Sequence, residues 1–275
     1  VIYLWDTATG NLRATLYGHT DWINSVIIAP DGHTVVSGGE DASIQVWNIQ
    51  ATPQHVGILQ EHSRRIRAIA CSSDGFHFVS GGDDHCIRLW EMASLRSLAV
   101  WRTENRAIWS LAFSPDGRTI ASGMDDGTLC LWDITSSTCC TRFSMEAQLI
   151  CAVVFTPDGT RVICSTDAGS IWVWQRETQC GQQLRSPQKV IARALAFDPE
   201  KQVLIAGNND GTIELWDIPT RQYSLLRGER PYEQMNIFQV SGVTDIQKAS
   251  LRALGAIEEE ASAMLLQKAA QASKG

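Results

Sequence analysis

The chain has 275 residues, of which 44% are apolar and 19% charged, a composition typical of a soluble globular protein with a large core. Its net charge of −7 argues against nucleic acid or an anionic membrane as the main partner. No apolar run reaches the roughly 18 residues of a transmembrane helix, and no signal-peptide pattern is apparent.

Tryptophan recurs along the chain at a fixed spacing. Six tryptophans, each closing a short apolar run, stand 42 or 43 residues apart: Trp5, Trp47, Trp90, Trp132, Trp174 and Trp216. So regular a spacing of a rare residue indicates one unit copied several times. A unit of about 40 to 45 residues is the length of one four-stranded propeller blade.

A tight turn keeps the same period. It stands at Pro30-Asp31-Gly32, Ser73-Asp74-Gly75, Pro115-Asp116-Gly117 and Pro157-Asp158-Gly159, with a degenerate copy at Asp198-Pro199-Glu200-Lys201. Proline fixes φ early in such a turn and glycine accepts positive φ after it. Apolar runs before and after each turn predict four strands per unit. The sequence therefore predicts an all-β protein.

These residues and their order resemble the WD-repeat (Trp-Asp) β-propeller family over about the first 227 residues. The resemblance rests on Gly18-His19, on Trp5-Asp6, Trp132-Asp133 and Trp216-Asp217, and on the altered copies Trp47-Asn48, Trp90-Glu91 and Trp174-Gln175. It implies a partial blade at residues 1–17 that contains only third and fourth strands. Five complete blades follow at residues 18–227, and a C-terminal extension occupies residues 228–275.

The eight cysteines suggest a disulfide or metal site until they are placed on the repeat. Five of them fall inside predicted strands: Cys71, Cys86, Cys130, Cys151 and Cys164. There is no Cys-x-x-Cys pair and no repeated Cys-His spacing of the kind that binds zinc. We therefore expect reduced structural thiols, no metal and no cofactor. Because thiols stay reduced in the cytoplasm, we also expect a cytoplasmic protein.

Two units carry serine, histidine and aspartate in register with tryptophan. The first set is His19, Ser37, Asp41 and Trp47, and the second is His62, Ser80, Asp84 and Trp90. A hydrolase needs an exposed nucleophile on a strained turn, but both serines fall inside a predicted second strand. The family resemblance implies instead a buried hydrogen-bonded tetrad.

The other units lose members of the tetrad. Glu104, Glu146 and Gln188 stand in the histidine position, Ala168 in the aspartate position, and Cys164 and Ala206 in the serine position. A repeated catalytic site would not be expected to decay in this way, so we predict a protein that is not an enzyme.

The resemblance also implies a partner-binding face, formed by the starts of the first strands and the loops between second and third strands. The residues of this chain at the corresponding repeat positions are Trp22, Asn24, Glu40, Arg65, Arg67, Asp83, Trp109, Asp125, Asp167 and Arg193. Trp22, Trp109 and the two arginines stand out, because exposed tryptophan and arginine dominate interface energetics. The alternatives are that the tryptophans pack between blades and that Arg65 pairs with Asp83. Arginines in this pattern would also suit a carboxylate or phosphate ligand.

The first predicted unit contains only two strands, and an open half-blade would leave an unpaired sheet edge. We therefore expect the C-terminal part of a longer chain. The alternative is a six-bladed ring in which Met235 to Val240 lends a strand.

Periodicity stops after Leu226. A capping box at Thr244-Asp245-Ile246-Gln247 predicts a helix from Asp245 to Leu254, and Glu258 to Ala270 could form a second. The segment from Arg230 to Ala256 resembles the C-terminus of bacterial NB-ARC or NACHT signalling NTPases, whose ATPase module precedes WD repeats. No Walker motif occurs in this chain, so we expect it neither to bind nor to hydrolyse nucleotide.

Two classes of function follow from these patterns. The first is a binding module with a protein or peptide partner, acting either as the sensor region of a bacterial signalling NTPase with an upstream ATPase module or as a free-standing scaffold. The second is an enzyme that uses the propeller channel, for which no set of acid, base and nucleophile is present.

Overall fold

The computed structural model describes residues 1–145, 149–228 and 248. The described chain forms a two-stranded hairpin and five four-stranded antiparallel sheets. The predicted all-β fold, with five complete blades and a half blade, is confirmed. The predicted C-terminal helices fall almost entirely outside the described residues.

The strands follow the repeat. The half blade contains β1 (Ile2–Trp5) and β2 (Leu12–Leu16). The strands of blade 1 are β3 (Ile23–Ile28), β4 (Thr34–Gly39), β5 (Ile44–Asn48) and β6 (Gln54–Leu59). Those of blade 2 are β7 (Ile66–Cys71), β8 (His77–Gly82), β9 (Cys86–Glu91) and β10 (Ser97–Arg102).

Blade 3 consists of β11 (Ile108–Phe113), β12 (Thr119–Met124), β13 (Thr128–Asp133) and β14 (Thr138–Ser144). Blade 4 consists of β15 (Ile150–Phe155), β16 (Arg161–Thr166), β17 (Ile171–Gln175) and β18 (Cys180–Arg185). Blade 5 consists of β19 (Ala192–Asp198), β20 (Val203–Asn208), β21 (Thr212–Asp217) and β22 (Gln222–Arg227).

The first strands of consecutive blades lie side by side, so the sheets are arranged around a common axis with the fourth strand outermost. Close contact between blades depends on a glycine in the second strand. A Cβ added to Gly81 would lie 2.9 Å from Ile108 Cγ2, and one added to Gly123 would lie 2.4 Å from Ile150 Cγ2. Because these glycines lack a side chain, a buried isoleucine of the next blade fits against the sheet.

The predicted turns join first and second strands. In the first copy, Asp31 Oδ1 accepts a hydrogen bond of 2.8 Å from the His33 N–H, and Gly32 has a φ of +73°. The second copy repeats this geometry at Asp74 and Gly75. These turns define one end of the propeller, and the loops between second and third strands lie at the opposite end.

Candidate functional site

The tetrad of blade 2 is a continuous chain of hydrogen bonds. The Trp90 Nε1–H donates to Ser80 Oγ at 2.8 Å, and Ser80 Oγ lies 2.7 Å from His62 Nε2. His62 Nδ1 lies 2.8 Å from Asp84 Oδ2. Because an ionised carboxylate can only accept, His62 Nδ1 carries a proton and donates a hydrogen bond to Asp84. Every polar side-chain group of this tetrad therefore has a hydrogen-bond partner.

Burial opposes charge and hydrogen bonding in setting the pKa of Asp84. Burial would raise the pKa of this carboxyl, but the hydrogen bond and charge of His62 and the N–H groups of Cys86 and Ser63 outweigh burial. The pKa of Asp84 is therefore held below its ordinary value. Ser80 has no exposed surface, so its hydroxyl cannot reach a substrate. The geometry therefore fits a structural link between the loop before β7, the β8–β9 loop and the third strand.

The first tetrad has the same core. His19 Nε2 lies 2.6 Å from Ser37 Oγ, and His19 Nδ1 lies 2.9 Å from Asp41 Oδ2. The Trp47 ring lies 6.1 Å from the His19 ring, tilted by 51°. Trp47 therefore packs beside the His19 imidazole in the same corner of the blade.

Blade 3 replaces the missing histidine with an arginine from another position. Glu104 takes the histidine position but points outward, with 76% of its side chain exposed. Asp126 instead forms an ion pair with Arg106, two residues farther along the chain. The Trp132 Nε1–H still donates to Ser122 Oγ at 2.9 Å.

Blade 5 contains a different buried network. The Trp216 Nε1–H donates to Glu214 Oε2 at 2.7 Å, in a blade where Ala206 occupies the serine position. Arg185 of blade 4 donates to both carboxylate oxygens of Glu214, at 2.9 and 2.8 Å. It also donates to the carbonyl oxygens of Gly169 and Val190. Both charged side chains are nearly inaccessible to solvent, so the pair ties two blades together.

The sequence does not predict these substitutes, because each lies away from the tetrad position. A signal was present at Glu214, which occupies a repeat position held by Gln45, Arg88, Cys130 and Trp172 in the other blades. A carboxylate inside an apolar third strand requires a partner. In this fold the partner comes from the fourth strand of the preceding blade.

In blade 4, Cys164 takes the serine position, so within the described part of the chain the Trp174 indole N–H has only a thiol, a weak acceptor, as its partner. We expect Cys164→Ser to raise the free energy of unfolding by about 0.5–1.5 kcal/mol, because a hydroxyl accepts the indole N–H as Ser80 and Ser122 do. Urea denaturation measures the change. Cys130→Ser is the control: Cys130 is also fully buried but lies outside the serine position. An equal effect of both substitutions would contradict the assignment.

The candidates at the starts of the first strands share a backbone irregularity. In every blade the ladder between first and second strands shifts register at one residue: Asn24, Arg67, Trp109, Cys151 and Arg193. A β-bulge leaves its extra residue outside the ladder and redirects the side chain. These side chains reach neighbouring blades, since Asn24 Nδ2 donates to the Ile66 carbonyl at 2.9 Å. Similarly, Arg193 Nη1 lies 3.8 Å from Cys151 Sγ.

Blades 1 to 3 bring five candidates together, named here the arginine–tryptophan cluster: Glu40, Arg65, Arg67, Asp83 and Trp109. Asp83 pairs with both arginines, at 2.7 Å from Arg65 Nε and 2.5 Å from Arg67 Nε. Arg65 also contacts Glu40 at 3.3 Å. The Arg67 guanidinium lies over the Trp109 ring, 3.8 Å from its centroid.

Trp22 extends this cluster on blade 1. The Glu40 N–H donates to the Trp22 carbonyl at 2.8 Å, which fixes the backbone of Trp22 next to the cluster. The Trp22 side chain is 77% exposed, whereas Trp109 is partly covered by Arg67. The cluster and Trp22 therefore form a continuous surface across three blades.

The loop acids of blades 3 and 4 have a different role. Asp125 Oδ1 accepts the Ala107 N–H at 3.1 Å, and Asp167 Oδ1 accepts the Leu149 N–H at 3.1 Å. Asn209 does the same for Ile191 in blade 5. These side chains therefore hold the backbone before the first strand, whereas Glu40 and Asp83 pair with arginines.

The eight cysteines are all free thiols, and burial raises the pKa of Cys71 to about 11. Among the described residues, no group of three His, Cys, Asp or Glu side chains could hold a metal ion. In the same part of the chain, no helix is long and apolar enough to cross a membrane.

Three curated proteins share short stretches with this chain. Lissencephaly-1 homolog 1 of Paramecium tetraurelia is 36% identical over 63 residues, 23% of this chain and 16% of that protein. Nuclear distribution protein PAC1 of Arthroderma benhamiae is 39% identical over 49 residues, which are 18% of this chain and 11% of that protein. Small ribosomal subunit protein RACK1 of Schizosaccharomyces pombe is 41% identical over 44 residues, which are 16% of this chain and 14% of that protein. Each match thus spans less than a fifth of the relative.

A family match covers far more of the chain. Five successive segments match the family described as WD domain, G-beta repeat: residues 10–48, 53–91, 95–133, 137–175 and 178–217. Each segment ends on the residue that directly follows a recurring tryptophan. The fold and the repeated residues agree with this match, and the chain is a member of the WD-repeat family of β-propeller proteins.

Proposed function

We propose that this propeller is a non-catalytic cytoplasmic binding module that holds a protein or peptide partner on the face formed by Trp22 and the arginine–tryptophan cluster. One observation carries the proposal: a tryptophan that is 77% exposed adjoins a cluster whose charged groups are already held in place. Large, preorganised aromatic and arginine side chains provide most of the binding energy in protein interfaces.

The internal pairing of the cluster bears on the type of partner. Arg65 and Arg67 are already neutralised by Glu40 and Asp83, so an incoming phosphate or carboxylate would have to displace an existing partner. Within the described residues, no ion pair or ring contact occupies the exposed Trp22 ring. We therefore assign the main contact to an apolar or aromatic side chain on Trp22, and polar contacts at the rim to Arg65.

We expect Trp22→Ala to weaken partner binding at least about tenfold, because an exposed aromatic anchor loses its contact area. Photo-crosslinking from position 22, followed by affinity measurement with the captured partner, tests this. Phe76→Ala is the control, since Phe76 is 68% exposed on a turn at the opposite end of the propeller. Equal crosslinking from positions 22 and 76, or unchanged affinity in Trp22→Ala, would contradict the proposed face.

A narrower proposal concerns the protein in which this face operates. Because the segment from Arg230 to Ala256 resembles the C-terminus of NB-ARC or NACHT signalling NTPases, the propeller would be the sensor region that restrains an ATPase until a ligand binds. The gene sequence upstream of the Val1 codon tests this. A P-loop there supports the sensor, whereas two further blades without a P-loop would support a free-standing scaffold.

A further inference from the structure

A cleft of about 410 Å³ lies between blades 4 and 5. One wall is the face of the blade 4 sheet that packs against blade 5, where Arg161, Gln175 and Cys180 are cross-strand neighbours. The other wall is the β21–β22 turn of blade 5, which contributes Ile218 and Arg221. The volume falls within the range of about 300–1,000 Å³ that is typical of ligand sites.

The charge of the cleft is one-sided. Among the residues that the structure describes, its lining contains two arginines and no aspartate or glutamate. Arg161 Nε donates to Gln175 Oε1 at 3.2 Å, and neither Arg161 nor Arg221 forms an ion pair within the described part of the chain. The nearby Asp158 carboxylate accepts hydrogen bonds from two threonine hydroxyls instead. The two guanidinium groups are therefore available to an anion.

Arginine at both positions distinguishes this cleft from its counterparts between the other blades. Arg221 occupies a turn position that has a φ between +52° and +58° in four blades, so its backbone is equivalent in all of them. The residues that correspond to Arg161 and Arg221 between blades 1 and 2, 2 and 3, and 3 and 4 are Thr34 and Leu95, His77 and Ser137, and Thr119 and Gln179. The pair of arginines is therefore specific to blades 4 and 5.

The counterpart between blades 3 and 4 shows how such a cleft is otherwise neutralised. Arg176 in the β17–β18 turn donates across it to Thr119 Oγ1 at 2.8 Å. Asp158 and Glu177 line the same cleft. Ile218 holds the Arg176 position in blade 5, so this hydrogen bond is lost between blades 4 and 5.

We propose that the cleft between blades 4 and 5 binds a small organic dianion, a dicarboxylate or a phosphate monoester, whose oxygens pair with Arg161 on one wall and Arg221 on the other. The planar fork of a guanidinium group binds carboxylate and phosphate oxygens in pairs. Val173 and Ile218 also line the cleft and suit the carbon skeleton of an organic ligand.

The test uses the complete chain and isothermal titration calorimetry at fixed ionic strength. Malonate, succinate and glutarate vary the distance between two carboxylates, and glycerol phosphate represents the monoesters. At least one of these dianions should bind saturably, and the one that binds most tightly identifies the ligand class. Butyrate, which has one carboxylate, should bind at least about tenfold more weakly, because it can neutralise only one arginine.

Two substitutions test the arginines directly. Arg161→Gln and Arg221→Gln should each weaken binding about tenfold or more, the effect expected from a lost charge-assisted contact. Arg118→Gln is the control, since Arg118 is exposed on the Pro-Asp-Gly turn of blade 3, outside the cleft but at the same end of the propeller. It should leave binding unchanged.

Gln175→Asp tests the charge of the cleft without removing an arginine. Aspartate occupies this repeat position in blades 3 and 5, as Asp133 and Asp217, so the fold should be retained. The new carboxylate lies opposite Arg161 and should weaken dianion binding at least about threefold.

Equal weakening by Arg221→Gln and Arg118→Gln, unchanged binding in Gln175→Asp, or no saturable binding of any dianion would overturn the proposal. Trp22 lies at the opposite end of the propeller, with the loops between second and third strands. Trp22→Ala should therefore retain full dianion binding, and the outcome is independent of the proposed interaction face.

Discussion

Replacing Glu214 with glutamine is expected to lower the free energy of unfolding by about 3–5 kcal/mol. Glutamine preserves the shape of the side chain and can still accept the Trp216 indole N–H. It removes the charge that neutralises Arg185, whose side chain is only 6% exposed and whose remaining hydrogen-bond partners are uncharged. Urea denaturation followed by circular dichroism measures the loss.

The double variant Arg185→Met with Glu214→Gln is the informative control. It leaves no buried charge and keeps an acceptor for Trp216, so it should recover at least about half of the stability lost in Glu214→Gln. A double variant that is less stable than Glu214→Gln alone would contradict the view that an unpaired guanidinium causes the loss. In that case the hydrogen bonds of Arg185 to the Gly169 and Val190 carbonyls would be the larger contribution.

The blade architecture could be predicted from sequence because each of its determinants is local and repeated. A tryptophan, a turn glycine such as Gly32 and the apolar run before it recur in a fixed order, and one misread copy is corrected by the others. The bulges at Asn24, Arg67 and Trp109 could not be predicted in this way, because register depends on the partner strand. The structure shows that the register shift falls at the same repeat position in every blade.

The candidate site was predictable only in part, for a similar reason. Repeat position identifies Glu40, Asp83 and Asp125 as equivalent, but equivalent backbone does not ensure equivalent contacts. Arginines at positions 65 and 67 attract Glu40 and Asp83, whereas Asp125 hydrogen-bonds to the Ala107 backbone. Which group each acidic side chain binds therefore depends on neighbouring residues that differ from blade to blade. Only the three-dimensional arrangement shows that Arg65 joins two blades.

The tetrads give the second large expected effect. His62→Ala should lower the free energy of unfolding by about 1–3 kcal/mol, because Ser80 and Asp84 are buried and each loses a hydrogen-bond partner. Thermal and urea unfolding measure the change. Asp84 retains the N–H groups of Ser63 and Cys86, which keeps the loss below that expected for an isolated buried charge.

Glu104→Ala provides a matched control, since Glu104 occupies the same repeat position in blade 3 but is exposed. Its effect should stay within about 0.5 kcal/mol, as for other surface substitutions. If His62 served only as a general base, removing it would abolish an activity and leave stability unchanged. Unchanged unfolding of His62→Ala would therefore contradict the structural role, whereas a loss confined to His62→Ala assigns the Ser-His-Asp set to holding the blade together.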